Sequence, residues 1–206
     1  MNIYKTIGYV VSLCVLIACN PSTEKVETAE ELPIDVYRLK SMEAKTYCQK
    51  NQLNTDFFIL IDLKRHSGLK RFYVWDFKQN EISESYLVSH GCGSNPWKQD
   101  QSKDNAQISN ENDSHCSSIG KYIIGERGIS NWGIKVKYLL HGQEITNNKA
   151  IKRAIVLHSW EAITDEEVFP NGTLEGWGCP AISNKAMTEM DKRIKKSSKK
   201  VLMWII

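Results

Sequence analysis

Three features that would each have set the class of this chain are missing from it. No apolar run approaches the about 20 residues that a membrane-spanning helix needs; the longest, residues 7–18, has 12. No charge of one sign dominates: 27 Lys and Arg face 24 Asp and Glu, a formal +3. So even a balance leaves no electrostatic footprint for nucleic acid, and none is expected as a partner. No internal repeat is present, which excludes a solenoid or an array. The 206 residues are 41% hydrophobic and 25% charged, a globular composition that excludes a polytopic membrane protein and a wholly disordered chain. The one basic run, residues 192–200, reads as a solvated helix face and its exit.

What is present begins with an export signal. Residues 1–6 carry Lys5 and no acid, and residues 7–18 form a short apolar h-region. The run ends in Leu16-Ile17-Ala18-Cys19, which resembles a bacterial lipobox. Residues 1–18 are then a lipoprotein signal peptide and Cys19 is the lipidated N-terminus. The lipid would hold the protein to a membrane without spanning it. The expected location is the bacterial cell envelope, facing the periplasm, with the outer membrane as anchor. The alternative is an ordinary cleaved signal or an uncleaved anchor.

Residues 19–46 are polar and acidic, interrupted by Pro21 and Pro33. They read as a flexible tether with a short helix over 34–49 at its end. The domain proper is expected over 47–206. Within it, residues 57–62, 71–76, 85–90, 121–125, 134–140 and 151–158 read as strands, with a turn at 78–81 between the second and third. Residues 91–118 form a long polar stretch without periodicity, and such a loop in a compact domain is usually functional or disordered. Residues 183–196 read as a helix capped by Ser183, with Ile182, Ala186, Met187, Met190 and Ile194 on one apolar stripe. Residues 201–206 read as a last buried strand. The expected fold is mostly β, a sandwich or barrel with a C-terminal helix and last strand.

The six cysteines sort by position. Cys14 lies in the signal and Cys19 is the lipid site. Cys48, Cys92, Cys116 and Cys179 remain, enough for two disulfides in an exported protein. Gly176-Trp177-Gly178-Cys179-Pro180 places one thiol in a glycine-rich turn, where backbone approaches a substrate closely. A thiol there, with a histidine elsewhere to take its proton, is the parts list for nucleophilic acyl transfer. The histidine candidate is His158, at the end of an apolar strand.

These motifs carry a family resemblance. Residues 152–159, K-R-A-I-V-L-H-S, followed by 176–182, G-W-G-C-P-A-I, look like the murein L,D-transpeptidase (YkuD-like) catalytic domain, in the branch with a W-G-C-P-A cysteine motif. Residues 88–94, V-S-H-G-C-G-S, and 117–126, S-S-I-G-K-Y-I-I-G-E, resemble two further segments of that branch. The resemblance spans about residues 57–206. It implies a mostly β fold and a cysteine mechanism on peptidoglycan stem peptides: a thioester forms with release of D-alanine, and an amine resolves it. Cys179 would be the nucleophile and His158 the general base, then acid. Ser159 would orient the imidazole through its carbonyl. The amides of Gly178 and Cys179 would form the oxyanion hole, and a paired imidazolium would lower the thiol's pKa. His90, Gly91 and Trp177 would line the substrate cleft. The chain departs from the broad family in having Trp177 and Pro180, where a histidine and an arginine or asparagine stand. No cofactor and no metal are implied.

Four rival readings stand beside this one. A hydrolase, either an L,D-carboxypeptidase or an amidase, would use the same Cys179–His158 pair with water as acceptor. A zinc site could draw on His90, Cys92, His115 and Cys116, though the spacing matches no common pattern. Cys92 and Cys116 could form a disulfide across the long loop. A non-enzymatic wall-binding lipoprotein would use the six Trp and eight Tyr as a platform. Oligomeric state leaves no mark in the sequence.

Overall fold

The strand β1 (Phe57–Ile61) is buried at every position, so both of its faces must be covered. Side chains alternate along a strand. Phe57, Ile59 and Ile61 accordingly join one apolar core, while Phe58 and Leu60 join another. A continuous apolar run of this kind marks a strand covered on both sides. Each core is closed by a helix. Helix α1 (Ile34–Lys50) contributes Tyr37, Ala44 and Cys48 to the second core. Helix α2 (Asn184–Lys196) contributes Ala186, Met187 and Met190 to the first.

The computed structural model describes residues 33–206. Its other strands are β2 (Phe72–Asp76), β3 (Glu81–Tyr86), β4 (Gly120–Ile129), β5 (Val136–Gly142), β6 (Val156–Ser159), β7 (Ala181–Ile182) and β8 (Leu202–Ile205). All eight form one sheet in the order β3-β2-β1-β8-β4-β5-β6-β7. The β1–β8 and β6–β7 pairs are parallel and the rest antiparallel. The last strand therefore lies at the centre, where Leu202 and Trp204 face α1, and Met203 and Ile205 face α2. The mostly β architecture with a C-terminal helix and a final strand is the one the sequence led us to expect. The signal residues 1–18 and the lipid site Cys19 lie outside the described residues.

Two boundaries differ from the sequence reading. The packed unit reaches back to Ile34, so residues 34–46 belong to a docked helix and not to a tether. Tyr37, Ser41, Ala44 and Cys48 make a narrow buried stripe, and the Tyr37 hydroxyl donates to Asp62 Oδ2 at 2.8 Å. The third strand lies earlier than 85–90. The Asp76 carboxylate accepts from the amides of Lys78 and Gln79, both at 2.8 Å, and Asn80 takes φ +56°. That tight turn starts β3 at Glu81. Leu87 to His90 then leave the sheet and are buried beneath the loops.

Candidate active site

Cys179 and His158 meet through strand register. Strands β6 and β7 are parallel, with His158 opposite Ala181. Cys179 stands two residues before Ala181 and lies against Val156, whose amide donates to Sγ at 3.4 Å. Because side chains alternate, His158 and Cys179 share one face, while Leu157 between them faces the core. Both line a cavity of about 320 Å³ walled by Trp97, Trp132, Trp160 and Trp177.

Each reacting group is held by backbone. His158 Nδ1 lies 2.9 Å from its neighbour Ser159's carbonyl oxygen. A carbonyl only accepts, so Nδ1 carries the proton and Nε2 is the free base. Ser159 itself is buried, and its hydroxyl accepts from the Ile134 amide at 3.0 Å. The Cys179 thiol donates to the Ala154 carbonyl at 3.7 Å. Neither of the thiol's hydrogen bonds goes to His158. Burial raises the thiol's pKa; the Val156 amide, and then the charges of Arg153 and Lys137, work against that rise. Burial lowers the imidazole's pKa, against the Ser159 carbonyl and Glu161. Both shifts favour the neutral thiol and the neutral imidazole over the thiolate–imidazolium pair that the sequence led us to expect.

Gly178 is in the left-handed region at φ +97°. A Cβ there would collide with the Cys116 carbonyl oxygen, so only glycine fits on both counts. Its own carbonyl accepts from Ser117 Oγ at 3.2 Å. The amides of Gly178 and Cys179 donate to no protein acceptor among the described residues. They are thus free to take a substrate oxygen. Gly178→Ala is expected to displace this turn and slow thiol acylation by about 10²-fold, as an ångström of misplacement does. Intact-mass kinetics of adduct formation would check it, and an unchanged rate would overturn the assignment.

Not every expected site residue reaches the cleft. Trp177 does, at 58% exposure. His115 is stacked on its ring at 4.9 Å, and Trp97 lies 5.4 Å away. His90 and Gly91 do not. His90 is fully buried. Arg71 Nη2 lies 2.6 Å from its Nδ1, and Ser102 Oγ lies 2.7 Å from its Nε2. Ser102 in turn donates to Glu175 Oε1 through both its amide, at 2.6 Å, and its hydroxyl, at 2.8 Å. Gly91 packs so closely on residues 115 and 116 that a Cβ would strike the His115 carbonyl oxygen. The V-S-H-G segment is therefore the support of the cysteine loop. The Gly176 amide donates to the His90 carbonyl, and the Cys92 amide to the Gly176 carbonyl, each at 2.8 Å.

Trp97, Trp132 and Trp160 are site residues that sequence reasoning did not single out. They come from three separate loops, and no spacing links them. The four described cysteines all carry free thiols, so Cys92 and Cys116 are not bridged. Among the described residues no group of three or more His, Cys, Asp or Glu gathers as a metal cage.

The family model described as the L,D-transpeptidase catalytic domain matches residues 28–204. Among solved structures, the chain is similar to the helical cell shape determining protein Pgp2 from Campylobacter jejuni. One match is to a mutant form, with a TM-score of 0.43, and one to the unmodified protein, at 0.39. Both are 12% identical, over 72% of this chain and 46% of that one. The chain thus spans less than half the length of those proteins. No curated protein matches significantly.

Proposed function

The chain belongs to the L,D-transpeptidase catalytic domain family, and from that premise we propose that it transfers an acyl group of a peptidoglycan stem peptide through a thioester on Cys179. The observation that carries this reading is that Cys179 lines one cavity with a His158 whose Nδ1 is pinned to the Ser159 carbonyl. That leaves Nε2 as the unprotonated nitrogen, able to act as a base.

In this reading Cys179 Sγ attacks the scissile carbonyl carbon while His158 Nε2 takes the thiol proton. The carbonyl oxygen gains negative charge and receives the amides of Gly178 and Cys179, each worth about 3 kcal/mol in the transition state. Collapse breaks the C–N bond, and His158 returns the proton to the departing amine. The thioester then meets an amine acceptor. His158 removes that amine's proton, the new amide forms and the thiol is restored. Four indoles wall the cavity that holds His158. They leave few polar groups to hold a water, which favours an amine carried on an organic acceptor over hydrolysis. The sequence of residues 1–19 supports a lipid anchor on Cys19 and work at the periplasmic face of the envelope, peptidoglycan being the partner.

The test is intact mass spectrometry of the full chain in detergent after incubation with a carbapenem, which acylates thiols of this family. One adduct per chain is expected, lost in Cys179→Ala. An adduct that persists in the variant, or none on a free Cys179, would overturn the reading.

A further inference from the structure

A second cavity, of about 420 Å³, shares Trp177 with the first. It is lined by Arg153, Lys152, His115, Asn112, Asp113 and Ala154. Ala154 is the residue whose carbonyl receives the Cys179 thiol. Where the first cavity is aromatic, this one is cationic.

Among the described residues Arg153 carries its charge without a counter-ion. Its Nη1 donates to the Ser109 carbonyl at 3.0 Å and Ser118 Oγ at 3.2 Å. Its Nη2 donates to the Cys116 carbonyl at 2.6 Å and Ser114 Oγ at 3.3 Å. All four acceptors are neutral. The nearby Glu111 is taken by Lys149, at 2.6 Å. Lys152 is exposed and forms no ion pair among the described residues, and Asp113, the one acid in the lining, pairs with neither cation. A partly buried guanidinium without an anion is costly to keep, and the cost is recovered when an anion arrives. The backbone points the same way. Asp113, His115 and Ala154 all hold φ between +54° and +58°, a conformation that costs non-glycine residues about 1 kcal/mol or more and clusters at ligand sites. The guanidinium also packs on the cysteine turn: Arg153 Nη2 lies 3.4 Å from where a Gly178 Cβ would stand, one residue before the thiol.

The two cavities divide the substrate. His158 must reach the amine nitrogen that leaves and the one that enters, so both amines belong in the aromatic cavity. The acyl portion is left with the cationic one. We propose that the Arg153–Lys152 cavity is a carboxylate subsite that holds an acyl donor by a carboxylate of its acyl portion. The identity of the ligand as an acyl donor rests on the acyl-transfer reading; the affinity for a carboxylate does not.

Alkylation of Cys179 separates the two. Iodoacetate and iodoacetamide form the same C–S bond and expel the same iodide, but only the first carries a carboxylate. Rates at Cys179 in the full chain would be read by peptide mass mapping, with N-acetylcysteine as reference. The ratio of iodoacetate to iodoacetamide rates is expected to exceed that of the reference thiol. It should fall about 3- to 10-fold in Lys152→Gln, as loss of one charge near a partly solvated site predicts, and further in Arg153→Gln. Arg153→Lys, which keeps the charge should the loop need it, is expected to retain most of the ratio. N-acetyl-D-glutamate should slow iodoacetate more than equimolar inorganic phosphate does. A wild-type ratio equal to the reference, an equal fall with both reagents in Lys152→Gln, or protection by phosphate alone would each overturn the proposal. A preserved ratio in a protein that no acyl donor acylates would overturn the acyl-transfer reading and leave the subsite standing.

Discussion

Replacing His158 by glutamine is expected to slow acylation of Cys179 by a carbapenem or a stem peptide about 10²- to 10⁴-fold, the ordinary worth of a positioned general base. The reason lies in the resting charge state. Burial holds the thiol's pKa above its usual range, so little thiolate stands ready at pH 7. Burial also holds the imidazole's pKa below its usual range, so His158 is neutral there and able to accept the proton. Attack and proton transfer must then occur together. Glutamine can keep a hydrogen bond to the Ser159 carbonyl but offers no basic nitrogen.

The pH profile separates this from simple damage. In the wild type, the rate should stay level from alkaline pH down through neutrality. It should fall only below the ordinary histidine value of about 6.5, because a lowered pKa delays protonation. In His158→Gln only the thiolate reacts. The rate should then rise about tenfold per pH unit across the neutral range, up to the thiol's raised pKa. A variant within a few-fold of wild type, with the same profile, would remove His158 from the mechanism.

The chemistry of this site was legible in the sequence, and its support was not. Cys179 and His158 stand in short motifs whose residues are close in the chain, and one pair of parallel strands brings them together. Helix α2 announced itself by an apolar stripe and by Ser183, whose hydroxyl does accept from the Ala186 amide, at 3.0 Å. Strands β1 and β8 are apolar enough to be read without context. Helix α1 was harder: its buried stripe is Tyr37, Ser41, Ala44 and Cys48, two of them small and one polar, so periodicity is faint. His90 misled for a different reason. It sits in a motif beside glycines, as a cleft residue would. Its partners Arg71 and Glu175 lie 19 residues before and 85 after it, and only the folded chain shows that they enclose it. The four tryptophans of the cavity are likewise gathered from distant loops.

That buried support carries the second large effect. Arg71, His90 and Glu175 are all inaccessible to solvent. Arg71 donates to the carbonyls of Val88, at 3.1 Å, and Arg65, at 3.0 Å. It also donates to His90 Nδ1, which fixes the imidazole proton on Nε2, toward Ser102 and Glu175. A neutral histidine thus stands between a buried cation and a buried anion, and its own pKa is pushed down to about 2 by burial and by Arg71. Arg71→Met takes the cation out of this buried network and strands the carbonyls of Val88 and Arg65. Removing one charge from a buried charged network costs about 3–5 kcal/mol, a large share of the 5–15 kcal/mol that a domain has. Urea unfolding should show the midpoint falling sharply. A loss below about 1 kcal/mol would mean that the network is dispensable. The His90 shift adds a pH signature. The unfolded chain takes up a proton near pH 6.5 and the folded chain only near 2, so stability present above about 6.5 is lost progressively as pH falls toward 2. His90→Gln cannot titrate, and the stability difference between pH 7 and pH 5 should shrink in it. Part of the slope remains, because His158 is shifted in the same sense. If the slope were unchanged in His90→Gln, the buried imidazole would have to be charged already, and the bridge between Arg71 and Glu175 would need another proton arrangement.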